Sequence, residues 1–228
     1  MRVANLRRIL ADRAKARSVV LATNLRSGRE ELLYPTEEEE RSSLLAVAKS
    51  AARRDLSTSI ETDEGPVFLH VFNPPLRMVL IGAVHISQPL ARIAALAGYS
   101  VTVVDPRRAF ASEYRFPGVN VLTEWPDDAL TSLAPDRRTA VVALTHDPKL
   151  DDPALSVALR SPAFYVGALG SRKTHAARKD RLAQSGFSPA EIARVRGPVG
   201  LEIGARSPSE IAVAVLAEVT QALRTDEP

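Results

Sequence analysis

Short runs of contiguous apolar residues alternate along this chain with longer stretches in which apolar positions recur every three or four residues, the pattern of strands separated by helices. Residues 5–17 have helical composition, and 18–24 read as a strand because Val19, Val20, Leu21 and Ala22 follow one another. Arg26-Ser27-Gly28-Arg29 reads as a turn, and 32–34 as a second strand ended by Pro35. A helix is expected next. Thr36 with Glu39 fits a capping box, and the run Glu37 to Glu40 suits the positive end of a helix dipole, so these glutamates read as a solvated helix start rather than an acidic tail. Leu44, Leu45, Val47, Ala48 and Ala51 continue at helical spacing as an apolar stripe to pack on the strand pair. Residues 67–72 form a further strand in which His70 alternates with apolar neighbours, as a surface histidine does, and Asn73-Pro74-Pro75 breaks it. The domain junction falls there, with a small α+β domain over 1–75 and a second domain over 76–228.

Beyond the double proline, strands at 78–81, 100–104, 119–122, 140–144 and 164–167 alternate with helices expected to run ten or more residues. Strict alternation of this kind implies a Rossmann-like α/β fold, a parallel sheet with helices on both faces. Two late helices have clear starts. Ser188-Pro189-Ala190-Glu191 and Ser207-Pro208-Ser209-Glu210 each combine a serine cap, a first-turn proline and a glutamate that closes a capping box.

Composition narrows the class. A chain of 228 residues with 45% hydrophobic and 25% charged residues can bury a substantial core, and disorder is not indicated. No apolar run approaches the ~18 residues of a membrane span. The basic start, Met1 to Arg8, is not followed by an apolar signal segment, so a cytoplasmic protein without membrane attachment is expected. Cysteine is absent, which excludes disulfides, thiolate metal ligands and a sulfur-carrying persulfide on this chain. A net charge of +3 from 30 basic and 27 acidic residues, with only 5% aromatics, does not point to nucleic acid and is compatible with small phosphorylated ligands.

Several segments could carry chemistry. Val79-Leu80-Ile81-Gly82-Ala83-Val84-His85 is a buried strand entering a turn, with Gly82 at the first glycine position of a dinucleotide fingerprint. Val84 and Ser87 occupy the second and third positions, and a β-branched residue at the second crowds the space a pyrophosphate would take. Asp105 ends the next strand where an acid commonly meets a ribose, with Arg107 and Arg108 beside it for a phosphate; alternatively Asp105 caps the turn. Thr145-His146-Asp147 arrives at the carboxyl edge of the fourth strand, where a His–Asp pair can face a ligand or form a plain turn before Pro148. Asp151 and Asp152 are expected to cap the helix that follows.

The densest signal is Tyr165-Val166-Gly167-Ala168-Leu169-Gly170-Ser171-Arg172-Lys173-Thr174-His175. Arg172 stands where a Walker loop needs glycine, which argues against a nucleotide triphosphatase. Two glycines, a hydroxyl and two cations where a strand meets a helix still make an anion cradle, with a structural glycine turn as the alternative. Gly197, Gly200 and Gly204 then punctuate a segment whose only charged side chain is Glu202.

Together, Gly82-Ala83-Val84-His85, Thr145-His146-Asp147, the stretch from Tyr165 to Arg172 and Gly200-Leu201-Glu202-Ile203-Gly204-Ala205 resemble the XdhC/CoxI family of molybdoenzyme maturation factors. The resemblance covers the second domain in order. It implies a cytoplasmic homodimeric accessory protein, a chaperone more than a catalyst. Such a protein binds molybdenum cofactor in its molybdopterin form and delivers it to a molybdoenzyme of the xanthine dehydrogenase or carbon monoxide dehydrogenase type. The cofactor-binding residues implied are Gly82, His85, Asp105, Arg107, His146, Asp147, Gly167, Gly170, Ser171, Arg172, Lys173, Gly200 and Glu202, with no metal ligand of the protein's own. Val84 replaces the family's second glycine, and Arg26-Ser27-Gly28-Arg29-Glu30-Glu31 stands where its N-terminal domain carries Gly-Ser-Ser-Pro-Arg, as in a shortened member that keeps the carrier domain. Two other readings remain: an NAD(P)-binding oxidoreductase or redox sensor, and a molybdoenzyme scaffold that holds no cofactor.

Overall fold

In a computed structural model, which describes residues 1–36 and 43–225, the chain divides into two compact units, Met1–Pro74 and Pro75–Pro228. The smaller unit is built on an antiparallel sheet of β1 (Val19–Asn24), β2 (Glu30–Leu33), β3 (Thr58–Ile60) and β4 (Val67–Phe72) in the order β2-β1-β4-β3. The contiguous apolar run of β1 has a simple cause. Val19 and Leu21 face Ile9 of helix α1 (Val3–Ala14), while Val20 and Ala22 face Leu45, Ala48 and Ala52 of helix α2 (Ser43–Arg53), so both faces of the strand are covered. Helix α1 stops short of the expected 17 because Ala16 turns back with φ +54° and the N–H of Arg17 returns to the Asp12 carbonyl. His70 is exposed between Phe68 and Phe72. The capping box built on Glu39 lies outside the described residues.

The larger unit is a parallel sheet of six strands in the order β10-β9-β8-β5-β6-β7. These strands are β5 (Leu76–Ile81), β6 (Tyr99–Val104), β7 (Asn120–Leu122), β8 (Thr139–Ala143), β9 (Tyr165–Ala168) and β10 (Val195–Arg196). Met78 and Leu80 point into one apolar layer with helices α3 (Ser87–Leu96) and α8 (Pro208–Thr225); Val79 and Ile81 point into the other with α4 (Pro126–Leu133), α5 (Pro148–Arg160) and α6 (Arg172–Gln184). Burial on both faces explains why these strands read as unbroken apolar runs. The small helix α7 (Pro189–Ala193) carries the expected box, with Ser188 and Glu191 bonding reciprocally, and Ser207 and Glu210 do the same at the start of α8.

Two expectations need correction. No helix links β6 to β7: residues 105–119 run through turns, broken by Pro106, Pro117 and Gly118 and closed by bonds such as Phe110 N–H to the Arg107 carbonyl. Helix α4, at 8 residues, is shorter than ten because Ala134 adopts a left-handed conformation and ends it.

Candidate functional site

The sheet order reverses between β5, which is followed by β6 and β7 on one side, and β8, followed by β9 and β10 on the other. Open α/β sheets take ligands at the carboxyl edge beside such a reversal. Three turns meet there, after β5, β8 and β9.

The turn after β5 is closed from within. Gly82 has φ +106°, and a Cβ on it would lie 2.6 Å from Cγ2 of Thr145, so glycine is needed for two turns to pass each other. Asp105, fully buried, accepts the Ala83 N–H at 2.8 Å through Oδ2, where Arg107 Nη2 also donates at 2.8 Å. Its Oδ1 accepts both the N–H and Nε of Arg107 at 2.9 Å. These donors fill the lone pairs a carboxylate offers. Burial alone raises the Asp105 pKa, but the hydrogen bonds from Arg107 and Ala83 overcome it and hold the group below the ordinary value. Ser87 Oγ donates to the Gly82 carbonyl at 2.5 Å and Arg115 Nη1 to the Ala83 carbonyl at 2.7 Å. Val84 packs against the apolar layer, and His85 is exposed.

In the turn after β8, His146 is exposed and holds a left-handed conformation, φ +62°. Asp147, rather than Asp151 or Asp152, caps α5, accepting the Lys149 N–H at 3.0 Å, because the chain enters the helix at Pro148 and the side chain before it is the one in reach. Asp151 turns inward instead, is 1% exposed, and accepts from Thr145 Oγ1 at 2.7 Å. Asp152 accepts from Arg181 of α6.

The turn after β9 is the open one. Ser171 caps α6 by accepting the Thr174 N–H at 3.1 Å, and the N–H groups of the first helical turn, at Arg172 and Lys173, belong to the donors that a helix start leaves without intrahelical partners. Gly170 (φ +144°) brings the turn close to Thr174, which a Cβ would approach to 3.1 Å. Arg172 and Lys173 are exposed, and Arg172 Nη2 bonds Glu202 at 2.7 Å, which brings the glycine-rich segment of 197–204 beside the turn. Beneath it, Arg178 Nη2 donates to the Leu169 carbonyl at 2.9 Å.

Gly167 and Gly200 have packing reasons. A Cβ on Gly167 would lie 2.7 Å from the Tyr165 ring and Val199, and one on Gly200 would lie 3.2 Å from the backbone of Ala214. The Gly200 N–H and the Tyr165 hydroxyl share one oxygen of Glu218, at 2.7 and 2.5 Å. The candidate residues therefore form two groups, Gly82, His85, Asp105 and Arg107 at one end and Gly170, Ser171, Arg172, Lys173 and Glu202 at the other, with His146 and Asp147 between. Three strand steps separate β6 from β9, roughly 14 Å at ~4.8 Å each. Among the described residues no cluster of potential metal ligands occurs, and no helix is long and apolar enough to cross a membrane.

Sequence reasoning missed Arg115 and Arg178, and read Asp151 as a helix cap. For Arg178 a signal existed: His175, Arg178 and Leu182 recur at helical spacing on a helix otherwise polar, and these are the residues of α6 that are buried.

The parallel sheet, its reversal and the turns at its carboxyl edge define a Rossmann-type domain. Residues 78–219 match the XdhC Rossmann domain, and the chain belongs to the XdhC family. It is 35% identical over 156 residues to a protein of Bacillus subtilis named as a probable xanthine dehydrogenase component, covering 68% of this chain and 45% of that protein. It is 34% identical over 148 residues to the molybdenum cofactor insertion chaperone PaoD of Escherichia coli, covering 65% of this chain and 40% of that one. A third relative, the uncharacterized YqeB of Escherichia coli, is 34% identical over 155 residues, 29% of its length. The match thus spans less than half of each relative. A Bacillus halodurans structure described as a xanthine dehydrogenase has the same fold, with a TM-score of 0.75 over 98% of this chain and 68% of that one at 24% identity.

Proposed function

We propose that this protein binds molybdenum cofactor through its phosphate at the β9–α6 turn and assists its insertion into a molybdoenzyme of the xanthine dehydrogenase type. The observation that carries this reading is the contrast in satisfaction between turns. The β5 turn has its polar groups met by Asp105, Ser87 and Arg115, whereas the β9 turn presents a capped helix start with Arg172 and Lys173 exposed beside it. A phosphate needs such donors and positive charge, and the glycine at 170 keeps side-chain bulk out of the turn. The names of PaoD and of the Bacillus subtilis relative support the maturation role.

Ser171, Arg172 and Lys173 would hold the phosphate, and His146 and Asp147, midway along the edge, would face the rest of the ligand. Asp105 and Arg107 would meet it only if it reaches the roughly 14 Å between strand ends. Bound cofactor supplies redox-active molybdenum to the client enzyme. With no cysteine, this chain would offer the metal no thiolate. A cytoplasmic homodimer is part of the same proposal.

The test is retention. Protein incubated anaerobically with molybdenum cofactor and passed through gel filtration is expected to carry pterin, measured after oxidation to its fluorescent derivative. Protein free of pterin after that step sinks the reading. NADH and NADPH titrations followed by fluorescence are expected to show no saturable binding, and micromolar affinity would restore the dinucleotide alternative.

A further inference from the structure

Beneath the β9–α6 turn lies a group of buried charges that the cradle itself does not use. Arg178 of α6 and Asp151 of α5 have side chains only 2% exposed, and Arg178 Nη2 stands 3.7 Å from Asp151 Oδ2, an ion pair without a hydrogen bond. Buried polar atoms are nearly always bonded. Here Arg178 Nε and Nη1, Asp151 Oδ2 and His175 Nδ1 are all buried without a hydrogen-bond partner. A methionine at 178 would bury more cheaply, so fold stability alone does not explain the charge.

The direction of the side chain supplies a reason. Helical side chains lean toward the N-terminus of their helix, and that of Arg178 reaches back to the carbonyl of Leu169, the residue before Gly170. Its guanidinium therefore lies under the turn, held to the backbone of the turn, where a low dielectric strengthens its field. At the surface, by contrast, Arg172 is paired with Glu202 with both side chains 83% exposed, so its charge is screened and partly neutralised.

We infer that Arg178 is a positioning residue for a phosphate-class anion: it fixes the Leu169–Ser171 turn and supplies the buried positive charge beneath it, with Asp151 as the counter-charge that tempers it. This rests on the reading of the β9–α6 turn as an anion site. Burial lowers the Arg178 pKa and the neighbouring Asp151 carboxylate offsets part of that; a guanidinium keeps its proton in proteins.

The experiment uses inorganic pyrophosphate and calorimetry on the full chain, with thermal unfolding run in parallel. Arg178→Met is expected to weaken pyrophosphate binding by about tenfold, and Arg178→Lys, which keeps the charge, to recover most of it. Asp151→Asn retains an acceptor for Thr145 while removing the counter-charge, and is expected to tighten binding. A purely structural pair would give the opposite pattern, both variants losing stability and neither gaining affinity. Binding by Arg178→Met equal to wild type overturns the inference. If that variant does not fold, Asp151→Asn decides: tighter binding supports the role, unchanged or weaker binding ends it. Failure of the wild type to bind pyrophosphate is a different result, for it removes the anion site itself.

Discussion

Two strand–turn–helix units of one sheet, β5–α3 and β9–α6, share their order of elements and a positive-φ glycine in the turn but have opposite chemistry. In the first, a buried carboxylate, a buried serine and an arginine take the backbone groups of the turn, and Val84 fills the space beside them. In the second, a serine caps the helix at the surface and cations stand exposed. The first turn therefore serves the architecture, and on the proposed reading it takes no ligand. Binding can move to another turn of the same edge, provided its donors stay open.

The largest effect should come from breaking the closed turn. Asp105→Ala removes the buried acceptor of the Ala83 N–H and the partner of the half-exposed Arg107, and urea unfolding should show a loss of about 2–3 kcal/mol. A loss below about 1 kcal/mol would mean the turn does not depend on Asp105. The pH dependence gives a second readout. Because the folded pKa of Asp105 is lowered, its contribution is present above the ordinary value of 3.8 and is lost as pH falls through the folded value. Asp105→Asn should therefore flatten the acid side of the stability curve below that pH.

A smaller effect is expected in the open turn. Ser171→Ala removes the cap of α6 and should cost about 1 kcal/mol in the same unfolding assay. It should also weaken pyrophosphate binding several-fold, because the hydroxyl and the ordered first turn belong to the proposed cradle. Loss of stability with unchanged affinity would place Ser171 with the architecture and erase the contrast between the two turns.

What could be read from the sequence follows from how local each feature is. Strands β1, β5, β6, β8 and β9 were legible because strands covered on both faces leave continuous apolar runs, and the boxes at Ser188 and Ser207 because a cap is complete within four residues. The edge strands β3 and β10 were not, since two or three residues show no periodicity, and β10 pairs with a strand on the far side of α6 and α7. The glycines of the site were visible, but Gly82 and Gly200 answer to Thr145 and Ala214, residues that only the fold brings near. Asp151 is the sharpest case. A first-turn aspartate reads as a helix start, and its burial against Thr145 and Arg178 depends on α5 and α6 packing side by side.

Glu202 offers the finest test, because its two possible roles predict opposite signs. As a ligand contact it would donate nothing, and as a carboxylate it would accept only from N–H or O–H groups of a pterin or nucleotide. As the surface partner of Arg172 it is an anion already seated where a phosphate would be drawn. Glu202→Gln should leave the unfolding curve unchanged, since an exposed pair contributes little. It should tighten pyrophosphate binding modestly at low salt, and the gain should fade as ionic strength shortens the screening length to ~8 Å near 0.15 M. If Glu202→Gln instead weakens retention of molybdenum cofactor while leaving pyrophosphate affinity alone, the carboxylate belongs to recognition of the pterin. The open turn would then be half of a site whose other half is the segment 197–204.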